Sequence, residues 1–157
     1  MYFKKIGIAY DHAGIELKNF LLSSDVFKKL EISEYGIKVT KDVITCDYPD
    51  YVSKLALAVS SGVLDGGIAI CGTGIGMSIC ANKFPRIRAV SVWDTFTCEM
   101  SRIHNNSNIL CLGARVVSSE KALKLAETWL STSFSNEKRH KIRLEKIEKI
   151  EAQNFKI

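Results

Sequence analysis

Gly66-Gly67-Ile68-Ala69-Ile70-Cys71-Gly72-Thr73-Gly74-Ile75-Gly76-Met77-Ser78-Ile79-Cys80-Ala81-Asn82 is the stretch from which the fold can be read. Residues 66 to 71 carry no charge and only small or apolar side chains, the pattern of a short buried strand. Residues 72 to 76 hold three glycines, which predicts a tight turn, and Gly76 to Asn82 then starts a helix. A thiol at the end of a strand, followed at once by glycine, puts a possible base beside a cluster of bare backbone N–H donors. The residues alone leave three readings open. The loop cradles an anion at a helix N-terminus, or it is a loose nucleotide loop, or it is a turn with no ligand. The nucleotide reading is the weakest, because no third glycine follows at G-x-G-x-x-G spacing, no Lys-Ser/Thr pair follows, and the loop comes after the third strand rather than the first.

The same alternation extends outward in both directions. Phe3 to Tyr10 reads as a buried strand and Gly14 to Leu30 as a helix with Leu17, Phe20, Leu21 and Ser24 on one face. A second strand is expected near Ile37 to Ile44. Pro49 suits the first turn of the next helix, where Val52, Leu55, Ala56 and Val59 recur at helical spacing. After the quoted stretch come a strand over Ile87 to Trp93, a helix over Asp94 to His104, a strand over Asn108 to Leu112 and a helix over Ser119 to Thr132. A last helix, Glu137 to Gln153, carries Leu144, Ile147 and Ile150 as an apolar stripe. Strands that each lead into a helix imply right-handed crossovers, hence a Rossmann-like αβα sandwich around a five-stranded parallel sheet. Ligands of such sheets bind outside the carboxyl ends of the strands. Asp11-His12, Cys71 and Arg115 all fall on that edge. The terminal helix follows the complete set of strand–helix units and is expected to pack on a partner subunit.

Composition narrows the classes. The 157 residues, 46% hydrophobic and 25% charged, fit one globular domain over 1–157, with an αβα core over 1–132 and the contact helix over 137–153. No apolar run is long enough to cross a bilayer, and Met1-Tyr2-Phe3-Lys4-Lys5 runs into a strand without the pattern of a signal peptide; a cytoplasmic chain with no membrane partner is expected. Five cysteines, with no C-x-x-C spacing, suggest neither a disulfide framework nor a metal site. The net charge of +5 arises largely from the terminal helix, where Glu145, Glu148 and Glu151 interleave with the basic residues, so no nucleic-acid partner is expected.

The segment Ile70-Cys71-Gly72-Thr73-Gly74-Ile75-Gly76-Met77-Ser78-Ile79-Cys80-Ala81-Asn82-Lys83 closely resembles the active-site loop of the B-type ribose-5-phosphate isomerases, a family that includes galactose-6-phosphate and allose-6-phosphate isomerases. The likeness extends to Tyr10-Asp11-His12-Ala13-Gly14, Asp47-Tyr48-Pro49, Ile87-Arg88-Ala89-Val90, His104-Asn105 and Gly113-Ala114-Arg115-Val116-Val117, leaving out only residues 31 to 45. One branch of the family uses a cysteine base and another a glutamate at the position of Met77. With Cys71 and Met77, the chain resembles the cysteine branch.

The resemblance implies an aldose–ketose isomerase working through an enediolate without cofactor or metal. Cys71 would be the base, Gly72, Gly74, Ile75 and Gly76 would supply N–H groups to the developing oxyanion, and Thr73 would relay a proton between the substrate oxygens. His104 would open the sugar ring, with Asp11 orienting it or holding a hydroxyl. Tyr48 and Asn105 would bind hydroxyls, and His12, Arg115, Arg139 and Arg143 the phosphate. Arg139 and Arg143 lie four apart and share a helix face. The resemblance also implies a homodimer, or a tetramer built on it, in which His104, Asn105, Arg139 and Arg143 serve the neighbour's pocket. Without it, His104 reads as a helix C-cap and the two arginines as a solvated basic face. Two rivals remain: a hexose-6-phosphate isomerase of the same mechanism, and a doubly wound module that binds a nucleotide or sugar phosphate without turning it over.

Overall fold

The computed structural model of the chain describes residues 3–37 and 46–155. Five strands, β1 (Lys5–Tyr10), β2 (Glu31–Gly36), β3 (Gly66–Cys71), β4 (Ala89–Ser91) and β5 (Ile109–Gly113), pair in the order β2-β1-β3-β5-β4, all parallel. Helices α1 (Ile15–Ser23), α2 (Pro49–Ser60), α3 (Ile75–Ala81), α4 (Thr95–Asn105) and α5 (Ser119–Ser131) cover the sheet, and α6 (Lys138–Asn154) follows them. The Rossmann-like α/β architecture is therefore the one expected.

The strand order decides which helix lies where. From β1 the chain moves to one edge, then passes back across the sheet to β3 and β4, and finally returns inward to β5. With a single crossover hand, α1 and α4 fall on one face and α2 and α3 on the other. Packing agrees. Leu17 and Leu21 of α1, Cys98 of α4 and Trp129 of α5 share a core with Ile6, Ile8, Ile68 and Ile70. Val52 and Leu55 of α2 and Met77 of α3 share a second core with Ala9, Ala69 and Cys111. The second face is paved with small residues, and a side chain at Gly67 would lie 2.6 Å from Leu55 Cδ1. Helix α2 can thus lie close to the sheet, with Tyr48 at its start against Gly76 in the first turn of α3. Each large core side chain contributes on the order of 1.5–3 kcal/mol by leaving water.

Two elements differ from expectation. Helix α1 stops at Ser23 rather than Leu30, and Phe27–Lys29 form a separate turn of 3-10 helix. Ser23 and Ser24 donate their hydroxyls to Phe20 O and Leu21 O at 2.7 Å, and Ser24 turns to an extended backbone, ending the helix. The second strand lies at Glu31–Gly36, ahead of the expected Ile37 to Ile44, of which 38–44 lie outside the described residues. As an edge strand it is largely half-buried or exposed, so it lacks the apolar run of β3. Helix α6 buries only His140, while Ile147 and Ile150 are 44% and 59% exposed. Among the described residues no helix is long and apolar enough to cross a membrane.

Candidate active site

The carboxyl edge of the sheet gathers the ends of β1, β3 and β5 around the start of α2. Asp11 leaves β1 with its N–H donating to Ile70 O at 3.3 Å, and its Oδ1 accepts the Ala13 N–H at 2.9 Å, capping a short turn that presents His12. His12 Nδ1 accepts the backbone N–H of Cys46 at 3.4 Å, and the Cys46 Sγ lies 3.8 Å from the same nitrogen. A neutral ring accepting at Nδ1 carries its proton on Nε2, which leaves a donor for an anion.

Cys71 ends β3, 5% exposed, and its Sγ accepts the Gly74 N–H at 3.1 Å. That bond closes the loop back on the thiol and fixes where the sulfur stands. It requires Gly74 in the left-handed region at φ +79°, where a side chain would also lie 2.9 Å from Ser91 Oγ. Ile75 N–H donates to Thr73 Oγ1 at 3.3 Å. Two of the N–H groups expected to meet an oxyanion are thus engaged within the loop, one of them on the thiol itself. The β5 end is stitched alongside by Ala114 N–H to Cys71 O at 2.8 Å and Arg115 N–H to Gly72 O at 3.0 Å. Arg115 lies against Gly72, with Nη1 3.3 Å from the place a side chain there would start. Tyr48 lies against Gly76, where an added Cβ would be 2.9 Å from its hydroxyl. Asp11, His12, Tyr48, Cys71, Gly72, Thr73, Gly74, Ile75, Gly76 and Arg115 therefore belong to one edge, around a thiol, a phenol, an imidazole and a guanidinium.

Cys80, Cys98 and Cys111 are poorly placed for chemistry. Burial pushes the Cys98 thiol up to about 12, raises Cys80, and together with the neighbouring Cys71 raises Cys111 further. Of Cys80, Cys98 and Cys111, which read from the sequence as small buried hydrophobes, Cys98 and Cys111 are buried and Cys80 is only half-buried.

His104, Asn105, Arg139 and Arg143 form no part of that edge within the chain. Cys71 pairs with Gly113 at the end of β5, whereas His104 and Asn105 end α4 just before β5 begins at Ile109. Four strand residues separate the two levels, about 13 Å along the sheet. At the amino edge His104 meets α6, its ring centroid 4.4 Å from that of His140. His140 is a residue to which sequence reasoning gave no role. It sits in a basic run, Lys138-Arg139-His140-Lys141, whose composition suggests a wet surface. Ser91 was also missed; its buried Oγ, next to Gly74, has no hydrogen-bond partner among the described residues.

A cavity of about 480 Å³ also opens at the amino edge, lined by Arg88, Arg102, Asn106, Asn108 and Phe134 among others. It includes none of the groups around Cys71. Convergence of reactive side chains, rather than cavity size, marks the chemistry here. Among the described residues no group of three His, Cys, Asp or Glu side chains is arranged to hold a metal.

Known proteins share this arrangement of chain. The family model described as Ribose/Galactose Isomerase matches residues 6–147. Ribose-5-phosphate isomerase B of Escherichia coli (strain K12) is 43% identical over 148 residues, spanning 94% of this chain and 97% of that protein. The solved ribose-5-phosphate isomerase B of Clostridium thermocellum superposes with a TM-score of 0.87 at 43% identity, covering 96% of this chain and 99% of the other. That of Mycoplasma genitalium, solved with bound ribulose-5-phosphate, gives 0.88 at 32% identity over 96% of this chain and 97% of the other. Matched along nearly its whole length in sequence and in fold, the chain belongs to the Ribose/Galactose Isomerase family.

Proposed function

We propose that the chain interconverts ribose 5-phosphate and ribulose 5-phosphate by proton transfer between neighbouring carbons. The observation that carries this reading is Cys71 Sγ at the strand end, held by the Gly74 N–H of a loop that Arg115 and Tyr48 flank at Gly72 and Gly76. The thiolate of Cys71 takes the proton from C2 of the open-chain aldose, the electron pair moves into the C1–C2 bond, and the carbonyl oxygen at C1 becomes the negative oxygen of an enediolate. Loop N–H groups stabilise that oxygen, an effect of about 2.7–4 kcal/mol per donor where it has been measured. Return of the proton to C1, with transfer of the hydroxyl proton between the two oxygens through Thr73, completes the ketose. No electron leaves the substrate, so the step needs no redox partner.

The furanose ring must open before that step. His104 of the partner subunit would protonate the ring oxygen as the C1–oxygen bond breaks, the C1 hydroxyl giving its proton to solvent as its oxygen becomes the carbonyl, with Asp11 orienting the sugar. Asn105 of the partner subunit and Tyr48 would hold hydroxyls. His12 and Arg115, joined by Arg139 and Arg143 of the partner subunit, would bind the phosphate. Assembly as a homodimer, or a tetramer of such dimers, is the arrangement that the separation of the two groups across the sheet supports. A cytoplasmic setting suits five unbridged thiols.

A substrate panel tests the reading. Ribose 5-phosphate should be turned over with the highest kcat/KM beside allose 6-phosphate and galactose 6-phosphate. A preference for either hexose would move the assignment to that sugar. Binding of all three without product, and without solvent exchange of the C2 proton, would leave only a binding module.

A further inference from the structure

His140 is the one buried residue of α6, 1% exposed, between Arg139 and Lys141, which are both exposed. Its ring is tilted 45° to that of His104 at 4.4 Å, and Phe134 lies 6.5 Å away. Its Nδ1 lies 2.7 Å from Ser135 Oγ. That oxygen also accepts the Glu137 N–H at 3.3 Å, so the hydroxyl proton is free to go to Nδ1, which places the ring proton of the neutral imidazole on Nε2. Ser135 in turn donates its N–H to Ile103 O at 3.1 Å, one residue before His104. The turn that starts α6 thus grips the end of α4 twice, by backbone at Ile103 and by ring at His104.

The groups facing His140 are His104 from α4, and Arg139, Arg143 and Glu137 from its own helix and cap. Burial first, then the cationic form of His104 and Arg139, holds its pKa below the ordinary histidine value, so it is neutral near pH 7. A neutral ring suits this place better than the alternatives. A lysine or arginine would repel a cationic His104 and the two arginines, and an aliphatic side chain would leave the Ser135 hydroxyl without its partner.

We propose that His140 is a positioning residue, which uses its ring contact and its bond to Ser135 to hold His104 in the orientation needed for ring opening. The inference rests on the ring-opening role given to His104 above. A proton-transfer group misplaced by about 1 Å can lose on the order of a hundredfold in rate. The role should therefore appear in turnover rather than in affinity.

The test compares three variants of the full-length protein on ribose 5-phosphate. His140→Ala should lower kcat by about ten- to a hundredfold with KM changed less than about twofold, since the ring contact and the Ser135 bond both disappear. His140→Asn places a neutral amide where Nδ1 stood and should recover most of that loss; because it keeps the polar contact, it also serves if the alanine variant fails to fold. His104→Asn should abolish most turnover. If His104→Asn retains native turnover, the ring-opening reading itself falls. If His104→Asn is inactive while His140→Ala keeps native kcat, or while the alanine and asparagine variants lose activity equally, the positioning role alone is overturned.

Discussion

Cys71 stands where three requirements meet at a single residue. The strand must end so that the side chain reaches the sheet edge, the next residues must be small enough to turn their N–H groups back, and the sulfur must stay within reach of substrate. The Gly74 N–H at 3.1 Å and the 5% exposure of Cys71 meet the second and third together. Among the five cysteines, it is the one whose sulfur is held by the loop, while Cys80, Cys98 and Cys111 are raised by burial. Cys71→Ala should therefore remove isomerisation by several orders of magnitude while leaving sugar-phosphate binding largely intact, since the phosphate contacts proposed above lie on other residues. Turnover and calorimetric binding measured on the same preparation check this. Near-native kcat in the variant would mean that another base does the work.

At the scale of elements, what could be read beforehand depended on how much of each element was decided locally. β3 is buried along its whole length and the glycine loop has a fixed backbone requirement at Gly74, so both are legible from residues 66 to 76. β2 at Glu31–Gly36 is not legible from its own residues because an edge strand is held by groups far away in sequence. Glu34 looks like a solvent residue, yet its Oε2 accepts the Tyr10 hydroxyl at 3.0 Å and pairs with Lys18 at 3.0 Å. The end of α1 was missed because two serine hydroxyls compete with the helix there. The candidate site was legible as strings on one edge, whereas the burial of His140 against His104 exists only once α6 is folded back on α4. That docking should be sensitive to pH. The pKa of His140 is lower in the folded chain than the ordinary value of about 6.5 expected when unfolded. Folding therefore favours the neutral ring, so the contribution is complete above about pH 6.5 and is lost as pH falls through the depressed folded value. Thermal midpoints taken from pH 8 to pH 5 should drop more steeply on the acid side for the native protein than for His140→Asn. Identical slopes would remove His140 from the account of acid stability.

The whole molecule poses a problem that its elements do not. The groups proposed to act on substrate lie in two sets, one at the carboxyl edge and one at the amino edge, two levels about 13 Å apart by strand rise along β5. α6 meanwhile leaves Ile147 and Ile150 uncovered. A twofold pairing that brings the amino edge of one subunit to the carboxyl edge of the other would satisfy both at once, because an isologous contact is made twice and so completes two sites. Among the described residues Arg139 pairs with Glu137, the cap of its own helix, in an exposed contact that contributes little and leaves the guanidinium able to turn to a phosphate. Removing Arg139 or Arg143 should weaken binding of the phosphate end, since a charge-assisted hydrogen bond contributes about 1.5–3 kcal/mol. Mixing variants is the sharper measurement. A Cys71→Ala subunit paired with an Arg139→Ala subunit places both defects in one site if the arginine crosses the interface, and leaves the other site with a native cysteine and a native arginine. The purified heterodimer should then regain about half the native activity, one good site in two. If arginine and cysteine of the same subunit worked together, one site would lack its base and the other its clamp, and the heterodimer would be no better than the Arg139→Ala homodimer. An inactive but intact heterodimer would therefore place the clamp in its own subunit's pocket and overturn the shared site.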